Sequence, residues 1–186
     1  METVTETKPE IESETPQNPM RKVKLAKVIV HINVGKSGEM LEKAKKVLDD
    51  ITGQKPCTKQ AKRTLKDFGI REGEPIACLT TLRGERANQF LKRGFEAVSN
   101  SLKRSSFDEN GNFAFGIKEH IEIPGTKYVP ELGIFGMDIM GTLERPGFRI
   151  KRRRIRPSQI GKSHHVTQED AVKFIAGTFG VKVKEA

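Results

Sequence analysis

Residues 26 to 34, AKVIVHINV, alternate: Val28, Val30, Ile32 and Val34 fall on one side, and Lys27, Ile29, His31 and Asn33 on the other. A period of two is a strand with one face on a core. Gly35 breaks the run. Leu41, Ala44, Val47, Leu48 and Ile51 then recur at helical spacing up to Gly53, a residue suited to the left-handed position that ends a helix. This stretch therefore demands a sheet with one covered face and an amphipathic helix to cover it.

The strand runs into Gly35-Lys36-Ser37, which has the order of a phosphate-binding loop. That loop needs G-x-x-x-x-G-K-[ST], because its backbone wraps around phosphates. The first glycine would fall at residue 30, where Val30 stands in mid-strand. A β-branched residue favours extended backbone and resists positive φ. No apolar run ends in an Asp placed to hold Mg²⁺. Lys36 reads as a surface lysine on a strand-to-helix turn. A nucleotide-dependent enzyme using Lys36 is the alternative, and binding of a Mg-nucleotide separates the two.

Other elements follow the same periodicities. A second helix is expected after Arg83-Gly84, with Ala87, Leu91, Phe95, Val98 and Leu102 on one stripe. A third starts at Thr167, where Thr167 and Asp170 form a capping-box pattern, with Val172, Ile175, Ala176 and Phe179 as its stripe. Strands are expected over residues 76 to 83, around Phe113, Phe115 and Ile117 after the turn DENG, and over residues 134 to 144 with Phe135, Met137, Ile139 and Leu143 on one face. Strands and helices do not alternate strictly. The fold class is α+β, a mostly antiparallel sheet with helices packed on one face. The 186 residues suffice for one core. No apolar run approaches the roughly 20 residues that span a bilayer, and an acidic start is neither signal nor transit peptide.

The net charge of +10 is unevenly spread: residues 1 to 20 hold five Glu and one Lys, −4, which leaves +14 on the rest. A basic body favours polyanions, nucleic acid first among them. Residues 1 to 19 carry four Thr, three Pro and almost no large apolar residues, and are expected to be a disordered acidic tail. Residues 20 to 186 read as one domain, with a basic C-terminal extension from about residue 151. Two cysteines, Cys57 and Cys78, are too few for a disulfide framework and lack zinc-site spacing, which fits a reducing, cytoplasmic setting. His31, His120, His164 and His165 are scattered or adjacent, so no metal or other cofactor is expected.

Two segments concentrate positive charge. Residues 53 to 75 carry Lys55, Lys59, Lys62, Arg63, Lys66 and Arg71 against Asp67, Glu72 and Glu74, and read as a long functional loop. Residues 145 to 157, RPGFRIKRRRIRP, hold seven Arg or Lys, too crowded for local ion pairing and suited to phosphate. If residues 26 to 34 pair with residues 76 to 83, the face away from the helices shows His31, Asn33, Thr81 and Arg83. Such donors suit the wide minor groove and 2′-hydroxyls of RNA.

The strings ITGQKP, AKRT, IREGEPI, TLRGER, FDENGNFAFGIKEH and LERPGFR make the chain similar, over nearly its whole length after the acidic tail, to the family of the fifth large-subunit ribosomal protein in its archaeal form. The ending KRRRIRPSQIGKSHHVTQEDAVKFI resembles the archaeal extension. The resemblance implies a structural protein with no catalysis, in the central protuberance of the large subunit. It implies binding to 5S rRNA, attachment of that RNA to 23S rRNA, contact with P-site tRNA and with neighbouring large-subunit proteins, and a bridge to a small-subunit head protein; no membrane is involved. Carried over position by position, the 5S rRNA contacts are His31, Asn33, Gln54, Lys55, Thr81 and Arg83. The tRNA loop is Lys66, Phe68, Gly69, Ile70 and Arg71. Further rRNA contacts are Lys62, Arg63, Arg149, Lys151, Arg152, Arg153, Arg154 and Arg156. The chain departs from the resemblance at His31, where the bacterial form has Asn, and at Asn33, where the family usually has Gly.

Overall fold

The computed structural model describes residues 18–184; the expected acidic tail, apart from Asn18 and Pro19, lies outside them. In chain order the elements are Lys24–Asn33 (β1), Glu39–Thr52 (α1), Cys57–Gln60 (β2), Pro75–Leu82 (β3), Glu85–Ala97 (α2) and Ser101–Lys103 (β4). Asn112–Ile117 (β5), Met137–Glu144 (β6), Arg149–Arg152 (α3), Gln168–Phe179 (α4) and Lys182–Lys184 (β7) follow. Five strands form one sheet in the order β2-β3-β1-β6-β5, and every pairing in it is antiparallel. The helices lie on one face, so the fold is the expected α+β.

The period of two in β1 buries Val28, Val30 and Ile32 completely and leaves His31 half-buried and Asn33 exposed on the opposite face. The stripe of α1 is buried as its spacing implies, and Gly53 closes the helix at φ 61° with its N–H on the Asp49 carbonyl. Phe95 of α2 ties the layers together: it stacks on Phe115 at 5.2 Å and meets Phe179 of α4 edge-on at 5.3 Å. The glycine beside it is part of that packing, since a Cβ on Gly94 would sit 3.2 Å from Ile139 Cδ1.

Three expectations need correction. The second helix stops at Ala97, because Ser99 and Asn100 adopt φ 54° and 50° and turn the chain. Val98 and Leu102 therefore lie beyond it, and Phe90 and Gly94 join the buried stripe instead. In α4 the capping box of Thr167 and Asp170 is present, but the buried face holds Ala171 and Ile175 while Ala176 is exposed. Residues 53 to 75 are not wholly loop, for they contain β2. This edge strand buries no face of its own, so it leaves no alternation to read; its backbone bonds to β3 form it. The parallel pair β4 and β7 gives no sequence signal at three residues each.

Candidate nucleic-acid interface

The face of the sheet away from the helices is built row by row from the strand register. Cys57, Leu79, His31, Asp138 and Gly116 form one cross-strand row, and Thr81, Ile29, Met140 and Ala114 lie in the next. His31 and Thr81 are thus diagonal neighbours, on strands that pair as expected. The Gln54 side-chain N–H donates to the Thr81 carbonyl at 3.3 Å, which holds the exposed amide at the edge of this face. Three of the expected contacts, His31, Gln54 and Thr81, therefore converge.

The others spread outward. Asn33, opposite Ala77, is the next residue on this face after His31, roughly 7 Å along the strand, but at the end away from Thr81, from whose partner it stands roughly 13 Å. Arg83 follows the last residue of β3 and is exposed, as is Lys55 beyond Gln54. Asp138 is the residue the sequence reading missed: its carboxylate is 3.9 Å from His31 Nδ1. Its alternation with the buried Met137 and Ile139 was legible, but its place beside His31 needs the strand order.

The Gly35-Lys36-Ser37 turn has a structural use. Ser37 Oγ donates to Glu74 Oε1 at 2.5 Å, and the Arg71 backbone N–H donates to Glu74 Oε2 at 3.1 Å. The Ser37 hydroxyl first, and then the Arg71 N–H, hold the Glu74 carboxyl below its ordinary value. The turn and the base of the β2–β3 loop are thereby clamped together, with Ala61 N–H on the Glu74 carbonyl at 2.8 Å and Gly73 N–H on the Ala61 carbonyl at 3.0 Å. At the far end Leu65 and Ile70 exchange backbone hydrogen bonds of 2.9 and 3.1 Å, and Gly69 closes the turn at φ 66°. Phe68 stands 71% exposed at this tip beside exposed Lys66, with Ile70 half-buried and Arg71, Lys62 and Arg63 exposed below it.

The second basic segment leaves the other end of the sheet, after Glu144, the partner of Lys24. Contrary to expectation one of its arginines is paired close by in the chain, Arg152 with Glu144; largely buried Arg145 reaches the distant Asp170 of α4 at 2.7 Å. The prolines permit one helical turn, α3, between them. His164 contacts the Pro146 carbonyl through Nε2 at 2.7 Å, and both His164 and His165 pack on Phe148, at 6.3 and 6.1 Å between ring centres. His120 is elsewhere, buried, with Nδ1 accepting the Phe135 N–H at 3.3 Å; burial lowers its pKa. Among the described residues no three His, Cys, Asp or Glu side chains gather in a metal-binding group.

The chain matches the family described as Ribosomal protein L5 over residues 18–71, and the C-terminal part of the same ribosomal family over residues 75–174. It is 52% identical over 169 residues to a protein of Sulfurisphaera tokodaii, covering 90% of this chain and 96% of that one. It is 51% identical over 173 residues to one of Aeropyrum pernix, covering 92% and 90%, and 45% identical over 171 residues to one of Nitrosopumilus maritimus, covering 92% and 99%. Each of these relatives is named large ribosomal subunit protein uL5. With both parts of the family pattern in sequence order and together covering most of its length, the chain belongs to the ribosomal protein L5 family.

Proposed function

We propose that this chain is a structural constituent of the large ribosomal subunit in the cytoplasm, that it binds 5S rRNA through the uncovered sheet face, and that it helps attach that RNA to 23S rRNA in the central protuberance. The observation that carries the reading is the convergence of His31, Gln54 and Thr81 on a sheet face that no helix among the described residues covers. Side-chain donors on a firm, shallow surface meet the 2′-hydroxyls and base edges of an A-form minor groove, and flanking cations meet its phosphates. Lys55 and Arg83, beside Gln54 and at the end of β3, are exposed next to that face, and Lys62 and Arg63 are exposed on the β2–β3 loop. The names of the relatives support a non-catalytic role. Lys36 does not revive the enzyme reading, because the Ser37 hydroxyl is committed to the carboxylate of Glu74, which would repel a bound phosphate. A protein of this kind stays with the large subunit when ribosomes are sedimented in high salt; release into the supernatant would overturn the assignment.

The β2–β3 loop serves the P-site tRNA, and other surfaces meet neighbouring large-subunit proteins and a small-subunit head protein. The tip holds Phe68 and Leu65 in the open with Lys66 between turn and solvent, an arrangement for stacking and phosphate contact at a distance from the sheet face. Replacing residues 66 to 71 by a Gly-Ser linker is expected to spare binding to isolated 5S rRNA and to weaken P-site tRNA binding to the assembled ribosome. Collapse of 5S rRNA binding would place the loop in the other interface.

A further inference from the structure

Ile155 is 77% exposed, more than any other large apolar side chain among the described residues. It sits at the crest of a small loop that is built rather than loose. The Ser158 N–H donates to the Ile150 carbonyl at 3.3 Å and closes the loop back onto α3. The Arg153 Nε–H donates to the Arg156 carbonyl at 2.7 Å and ties the crest. Arg156 adopts φ 48° immediately before Pro157, a conformation that L-residues, and residues before proline in particular, avoid. A strained turn that does no more than hold an isoleucine out in water points to function at the crest.

The surroundings name the partner. Residues 145 to 157 contain six Arg, one Lys and no acidic residue. After Arg145 and Arg152 are paired, Arg149, Lys151, Arg153, Arg154 and Arg156 have no ion pair among the described residues. Arginine rather than lysine suits phosphate forks and stacking on bases. We propose that this knuckle enters ribosomal RNA with Ile155 as an apolar wedge between bases, while the arginines on either side hold the phosphates; the idea rests on the RNA-binding reading above. An apolar side chain inserted at a base step opens the stack, and the protein surface that the distorted RNA then meets on both sides offsets the unstacking.

The two contributions separate in a salt titration. Filter binding of the full chain to deproteinised large-subunit rRNA, 5S included, compares wild type with Ile155→Ala and Arg154→Ala. Ile155→Ala is expected to lose roughly tenfold in affinity, from apolar burial, with an unchanged salt slope. Arg154→Ala is expected to lower the salt slope by about one. Base-specific chemical probing is expected to find one or two nucleotides made more reactive by wild type and not by Ile155→Ala. Full affinity and an unchanged probing pattern for Ile155→Ala, with Arg154→Ala weakened, would overturn the wedge and leave the RNA surface standing. If neither variant differs from wild type, the knuckle does not touch RNA and the wedge falls with it.

Discussion

Alanine at His31, Gln54 and Thr81 together is expected to lower affinity for 5S rRNA by at least about a hundredfold, with little change in folding stability. None of the three lies in the core: His31 and Thr81 are half-buried on the open face and Gln54 is exposed. Each would be sealed against RNA, where truncation leaves the partner group desolvated and unpaired, at about 1–3 kcal/mol apiece. Loss of His31 has a second consequence, because Asp138, 3.9 Å away, then faces RNA without its neighbour. Lys36→Ala is the counterpart. Lys36 is an exposed lysine off the sheet face, and its removal is expected to cost about 1 kcal/mol or less. Filter binding at two salt concentrations measures both. Wild-type affinity in the triple variant, with binding abolished by Lys36→Ala, would return the interaction to the Gly35-Lys36-Ser37 turn.

The largest stability effect is expected at Gly141. It lies opposite Phe113 in the β5–β6 ladder, and a Cβ there would sit 2.1 Å from Phe113 Cζ and 2.3 Å from Cε1. The ring has nowhere to go, since Phe95 and Phe107 pack around it at 6.1 and 6.0 Å between centres. Gly141→Ala is expected to cost about 3 kcal/mol in denaturant unfolding, at the upper end for overpacking a core. Adding Phe113→Leu to it is expected to recover part of the loss, because the two sites share one space. Gly177→Ala is the control: nothing lies within 4 Å of its Cβ position, on the exposed side of α4. It is expected to be neutral or stabilising by up to about 1 kcal/mol. A cost below about 1 kcal/mol at Gly141 would mean that the ring is not fixed there.

What the sequence reveals here follows burial. The α1 stripe and the inner residues of β1 each have one face in a core and one in water, and that contrast prints a period. Strand β2 has no buried face, so it reads as loop until β3 supplies its backbone partners. The second helix reads too long because Val98 and Leu102 happen to continue its spacing after Ser99 and Asn100 have turned the chain. The site divides in the same way. That His31 and Thr81 face away from the core is legible in each strand alone. That they are diagonal neighbours, and that Asp138 stands beside His31, depends on the order β3-β1-β6, which no local pattern encodes. The pairings of Arg145 with Asp170 and of Ser37 with Glu74 join residues far apart in the chain. A count of charge along the sequence cannot separate these braced groups from the free cations around them.

Cys57 gives the most direct test of the sheet face. It is exposed and shares a cross-strand row with Leu79 and His31. Cys78, the other cysteine, is fully buried, and burial pushes its thiol pKa up to about 11, so alkylation of the folded chain reports on Cys57. Saturating 5S rRNA is expected to slow Cys57 alkylation at least about tenfold, whereas the triple alanine variant under the same conditions reacts at the rate of the free protein. A Cys57 rate unchanged by 5S rRNA that is demonstrably bound would place the RNA elsewhere on the molecule and contradict the sheet-face account.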